Sequence, residues 1–285
     1  MASRFRIATL SIAALLTLVS LAACGSGGSK AQTAGGTTAA RDTAPTSSTT
    51  IVAKVGVAPI TKAQVSHWMT ALAGSIYHNI SHELPLPEGL VSDPPDYRRC
   101  VASLEAAAAA SPLGHARETG PELLAKCREL NGALQIEATN FLIKAQRTIA
   151  LAAEAGVTVS PAEVEASFRQ ARLTDYPTEA DLHRYLASRH QTIADLLLEL
   201  KLELLSTKLS RKVADLGGLA ALKDSYQRSV ENTRCSPGYV VESCSQYRGG
   251  PTYPGRTPSA LLEQVSAVVT DRCVNLAGCG KQVGE

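Results

Sequence analysis

Apolar residues recur at helical spacing along most of the chain, and one early stretch departs from that rule. In residues 51–64, Val52, Lys54 and Val55 alternate ahead of Gly56 and Pro59, the pattern of a short extended element that turns. Thr61 followed three residues later by Gln64 makes a capping box, so a helix is expected to start there. Val65, Trp68, Met69 and Leu72 then fall at i, i+3, i+4 and i+7, one apolar stripe that places the chain's single Trp in a core. Pro85, Pro87 and the Asp93-Pro94-Pro95 run break the pattern. A helix carrying Tyr97, Cys100, Val101 and Leu104 follows, then an alanine run and a loop at residues 111–114. The next helix is expected near Pro121, with Leu123, Leu124, Cys127 and Leu130 on one side, and a separate long helix from Leu134 to Ala155. Leu134, Phe141, Leu142, Ala145, Ile149 and Ala152 form the buried stripe of that long helix, and Gly156 stops it.

Three more helices announce themselves by their caps. Ser160 precedes Pro161 and Glu163, Thr178 precedes Glu179 and Asp181, and Thr192 precedes Asp195. Leu182, Tyr185 and Leu186 follow the second cap, and Leu196, Leu200, Leu204 and Leu205 follow the third. Glu199, Lys201 and Glu203 read as the wet face of that Leu-rich helix. Beyond Gly217-Gly218 one more helix runs through Leu219, Leu222 and Tyr226, and another is expected near residues 258–271. Alanine and leucine dominate the apolar set while aromatics are only 4%, which favours close-packed helices over a broad sheet. The expected fold is therefore mainly all-α, with a short N-terminal β element and a small disulfide-rich C-terminal tail.

The first residues obey different physics. Arg4 and Arg6 precede a mostly apolar run from Ile7 to Val19, too short for a membrane span of roughly 20 residues and suited to an export signal. Leu21-Ala22-Ala23-Cys24 resembles the lipobox of bacterial lipoproteins, in which the cysteine takes a diacylglyceryl group. That resemblance implies a signal peptide at residues 1–23, lipidation of Cys24 and a location on the outer face of the cytoplasmic membrane. Residues 24–50 are nearly all Gly, Ser, Thr and Ala, with no large apolar side chain to bury, so a disordered tether is expected. Without Arg4 and Arg6 the 28 basic residues fall to 26, equal to the 26 acidic ones. A neutral chain has no strong electrostatic reason to hold nucleic acid.

Val52, Ala53, Val55, Pro59, Ile60 and Thr61 carry a resemblance to the opening of SurA- and PrsA-type foldases, with the usual Asn-Gly turn replaced around Gly56. The Val157-Thr158-Val159-Ser160 entry to a helix ending its first turn at Glu163-Val164, the short helix after it and the long Leu-rich helix extend the likeness to about residue 212. It implies a helical chaperone domain at residues 51–234. In those foldases a parvulin domain follows the long helix and performs prolyl isomerisation. The interval between Leu209 and Cys235 has no room for one, so the expected protein keeps the polypeptide-holding part and lacks the isomerase.

Residues 235–285 form the Cys-rich tail, and Thr233, Cys235, Gly238, Tyr239, Val240, Val241 and Cys244 resemble the ending of SurA-like bacterial lipoproteins. Six cysteines remain after Cys24, an even number in an exported chain, which favours disulfides. Cys100 and Cys127 could face each other across their two helices. Pairing of Cys100 with Cys127, Cys235 with Cys244 and Cys273 with Cys279 is the most local of fifteen connectivities, among which sequence alone does not choose. His78 and His82 form no HExxH, and His67, His115, His183 and His190 lack a neighbouring signature, so no metal, cofactor or catalytic site is expected. The leading expectation is a lipid-anchored chaperone that binds unfolded exported polypeptides, with Trp68, Met69, Phe141 and Leu142 as core or client-binding positions. The alternatives are a structural or partner-binding lipoprotein on the same fold, and a peptidyl-prolyl isomerase by family relationship.

Overall fold

The computed structural model describes residues 49–81, 85–91, 94–109, 118–215, 220–249 and 255–264. All of them belong to one compact unit, Pro45–Glu285. Cys24, residues 24–48 of the tether, His82, His115, the loop at 111–114, Gly217, Gly218, Leu219, residues 265–271 of the expected last helix, Cys273 and Cys279 lie outside the described residues.

Strands β1 (Ile51–Val55) and β2 (Ala58–Thr61) pair antiparallel, with Val55 opposite Ala58 and a two-residue turn at Gly56 and Val57. Gly56 has a φ of +58°, the left-handed region where a side chain is costly, and a glycine in the first turn position suits hairpin twist. The sequence predicts a short extended element that turns here, but not the strand that joins it from far along the chain. Strand β3 (Thr233–Cys235) pairs antiparallel with β1, so the order is β2-β1-β3 with β1 in the middle. The expected start of the tail at residue 235 thus falls inside a strand.

Helix α1 (Lys62–Ile80) begins as its capping box dictates: the Gln64 amide donates to Thr61 Oγ1 at 3.2 Å and the Thr61 amide donates to Gln64 Oε1 at 2.8 Å. Helix α2 (Arg98–Ala109) is joined to helix α3 (Gly120–Glu154) by the Cys100–Cys127 disulfide. Here the sequence expectation is corrected, because the two helices read near Pro121 and from Leu134 are one helix of 35 residues. Asn131-Gly132 resembles a stop, yet Gly within a helix costs only about 1 kcal/mol, and the stripe of Leu130, Ala133, Leu134 and Ala138 stays buried straight through it. Packing of that stripe outweighs the local preference.

Helices α4 (Pro161–Asp175), α5 (Glu179–Ser188) and α6 (Ile193–Asp215) follow, with the three expected caps in place. Helix α7 (Ala220–Glu231) leads into β3, and residues 258–264 are helical again. The main core lies between the hairpin, α1 and α3, closed at one side by Val241, Cys244, Leu261 and Leu262 of the tail. Phe168, Leu182, Leu186 and Leu196 make a second, smaller core for α4, α5 and α6. Gly74 lets α1 approach the turn after α5, since a Cβ there would sit 2.7 Å from the Arg189 carbonyl carbon and oxygen.

Polar side chains of α3 hold the tail down. Glu129 accepts from Arg256 Nη2 at 2.7 Å and from the Arg256 amide at 2.7 Å, and Gln135 donates to the Gly238 carbonyl at 2.6 Å. The Cys235–Cys244 disulfide closes the tail's own loop. Glu199 departs from the expected wet face of α6. It is half-buried and accepts from Gln191 Nε2 at 2.7 Å, and burial pushes its carboxyl above the ordinary value, with the Gln191 hydrogen bond opposing.

Candidate functional site

A groove runs along α3 between α6 and α7. Its floor is Phe141, Ala145, Thr148 and Leu151 of α3. One wall is Leu202, Ser206, Leu209 and Val213 of α6, and the other is Leu222, Tyr226 and Val230 of α7. Three cavities subdivide it. The largest, about 650 Å³, lies among Leu151, Leu209, Val213, Leu222 and Tyr226. A cavity of about 310 Å³ sits toward Phe141 and Leu202, meeting the first at Ser206. The third, about 370 Å³, opens sideways past Leu151 and Tyr226 to Lys144, Arg147, Glu242 and Ser243.

The helices create this groove because α6 carries two apolar faces. Leu196 and Leu205 are buried, whereas Leu202 and Leu209 are only half-covered and, with Val213, line the cavities. On α7, Tyr226 is 52% exposed. A large aromatic left half in water beside a concave apolar wall is the composition of a binding surface.

Arg147 is the unusual group of the site. It is 5% exposed, and its guanidinium donates to Thr233 Oγ1 from Nε at 3.3 Å and from Nη2 at 3.0 Å, with a further short bond from Nη2 to the Ser243 carbonyl. The Tyr226 ring lies 6.0 Å from its Cζ. Burial pulls the guanidinium below its ordinary value while Tyr226 opposes that, and an arginine so placed keeps its charge. On the cavity rim, Lys144 Nζ and Glu242 Oε1 stand 3.9 Å apart.

Of the positions singled out in the sequence, Trp68, Met69 and Leu142 are buried in the main core. Phe141 alone of the four reaches the groove, with one face against Trp68 at a ring-centroid distance of 4.2 Å. Cys100 and Cys127, and Cys235 and Cys244, form the two described disulfides. His67, which has no sequence signature, places Nε2 2.9 Å from Asp195 Oδ1. Asp195 also accepts the Thr192 amide and hydroxyl at 2.7 Å on Oδ2, so this pair ties α1 to the start of α6. His183 lies 3.7 Å from Glu179 on the same helix. Sequence reasoning found the Leu222 and Tyr226 stripe but not the groove. The available signal was the second apolar set Leu202, Leu209 and Val213, spaced seven and four residues apart.

Among the described residues no three His, Cys, Asp or Glu side chains gather as metal ligands, and no helix is long and apolar enough to cross a membrane. The groove supplies apolar area, hydroxyls and fixed charge. No family model matches the chain, and neither does any curated protein or solved structure.

Proposed function

We propose that the protein is a lipid-anchored, extracytoplasmic chaperone that holds extended apolar segments of exported polypeptides in the groove between α3, α6 and α7. The observation that carries this reading is the groove itself: contiguous cavities with apolar walls along three helices and a half-exposed tyrosine on one lip. An extended segment buries alternate side chains in such a channel, and each apolar side chain fully buried contributes about 1.5 to 3 kcal/mol before the cost of ordering the segment. The SurA- and PrsA-like sequence order and the lipobox around Cys24 support the same reading. No prolyl isomerase activity is expected, since twisting an amide needs a shaped pocket complementary to the transition state.

The test uses the mature chain with Cys24 replaced by Ser to keep it in solution. It should slow aggregation of several unrelated unfolded proteins at near-stoichiometric ratio and leave prolyl isomerisation of a peptide at its uncatalysed rate. Leu209→Asp, which puts a charge in the groove wall, should abolish the protection. Protection that survives Leu209→Asp would sink the groove as the client site, and protection of one partner alone would favour a dedicated adaptor.

A further inference from the structure

Arg147 asks for an anion that the described residues do not provide. Its hydrogen-bond partners are the Thr233 hydroxyl, the Ser243 carbonyl and the Tyr226 side chain, none of them a carboxylate. Burying an ionised group is costly unless opposite charge compensates it. The 370 Å³ cavity beside it is lined by a second cation, Lys144, and one acid, Glu242. Glu242 and Lys144 stand 3.9 Å apart with side chains 43% and 65% exposed, on the cavity rim, whereas the charge at the buried end, Arg147, is cationic. Tyr226 and Leu151 line this cavity and the 650 Å³ apolar one together, so a single ligand can occupy both.

We propose that the groove selects polypeptide segments in which apolar side chains flank an acidic one, the apolar groups filling the α3–α6–α7 channel and the Asp or Glu carboxylate entering the side cavity toward Arg147 and Lys144. The inference rests on the groove being the client site and names the client's chemistry. A side chain is favoured over a chain terminus as the source of the carboxylate because the polar cavity branches off a channel that continues on both sides of it, toward Leu222 in one direction and Phe141 in the other. A passing backbone would therefore present a side chain there. Lys223, at the far wall of the large cavity, adds positive charge to the same channel, while Glu137 lies at the Phe141 end.

The experiment compares two end-blocked, fluorescently labelled peptides with the same leucine and valine residues and a single central Glu or Gln, binding to the full mature chain with its disulfides intact. At low salt the Glu peptide should bind about tenfold more tightly, the worth of one charge-assisted hydrogen bond, and the gap should shrink as salt is raised. Arg147→Met should bring the two peptides to equal affinity. If circular dichroism shows that variant unfolded, Lys144→Gln on the exposed rim carries the test and should cut the preference by roughly threefold. Equal binding of both peptides to the unchanged protein overturns the acidic selection and leaves the groove reading in place. A preference left at its full size in Arg147→Met, or in Lys144→Gln where that variant carries the test, overturns it as well. Absence of binding by either peptide counts against the groove and the selection together. An unblocked Gln peptide that binds as tightly as the Glu peptide would assign the cavity to a chain end and overturn the side-chain assignment.

Discussion

Gly74 is held by its surroundings more tightly than its place in the middle of a helix suggests. A methyl group there would press on the Arg189 backbone, which cannot swing aside as a flexible side chain could. Gly74→Ala should therefore lower stability by about 1 to 3 kcal/mol despite alanine's better helix propensity, a reversal of the usual sign that urea denaturation would detect. A gain in stability would mean that α1 and the turn after α5 separate easily. Nothing in the sequence marks this glycine, because its partner lies more than a hundred residues away. Trp68 is the opposite case: its spacing from Val65, Met69 and Leu72 announces a core position, and the ring is buried against Phe141. Asp195 shows how a local reading can be right and incomplete. Its cap on α6 is legible from Thr192, but its bond to His67 is not. Burial alone would raise the Asp195 carboxyl, and the hydrogen bonds from Thr192 and His67 outweigh it and hold the group below its ordinary value.

Among the elements, helix starts were readable, and helix partners were not, apart from α2 and α3 through Cys100 and Cys127. Each capping box sits within four residues, so Thr61, Ser160, Thr178 and Thr192 carry their own evidence. The continuity of α3 through Asn131-Gly132 and the pairing of β3 with β1 depend on distant packing, and the groove needs three helices at once. Ser160 and Glu163 give the clearest chemistry at this scale. Lys208 of α6 donates to Glu163, and the Ser160 amide and hydroxyl donate as well, which holds the Glu163 carboxyl down at about 2 against an ordinary 4.5. A depressed carboxylate stabilises the fold fully above its unfolded value and loses that contribution as pH falls from there through about 2. The thermal midpoint of Glu163→Gln should consequently change less between pH 5 and pH 2 than that of the unchanged protein; equal acid sensitivity would count against the α4–α6 link. The two disulfides differ in the chain they enclose, with separations of 27 and 9 residues. In the chain-entropy account they contribute roughly 3.6 and 2.6 kcal/mol. Replacing Cys100 and Cys127 together with alanine should therefore cost more stability than replacing Cys235 and Cys244, as measured by urea midpoints under non-reducing conditions.

For the whole molecule, the proposed anchor makes the simplest demand. Cys24→Ala removes the one sulfur at the lipobox, so the protein should leave the membrane fraction or remain unprocessed, and unchanged lipid labelling of that variant would refute the lipoprotein reading. The main core draws on both halves of the sequence, from Val52 near the start to Leu262 near the end of the described residues. The central position of β1 between β2 and β3 then sets an order of events. A chain that emerges N-terminus first, from a ribosome or from an export channel, presents β1 early and β3 late, so the first strand waits with one hydrogen-bonding edge open, and α1 through α7 must all appear before that edge is closed. Contacts so far apart in sequence close slowly, and an open edge invites pairing with another chain. Under the proposed function, a protein that holds unfolded exported chains would itself pass through an unfinished state of this kind, complete only when residues 233–235 have reached their place beside β1.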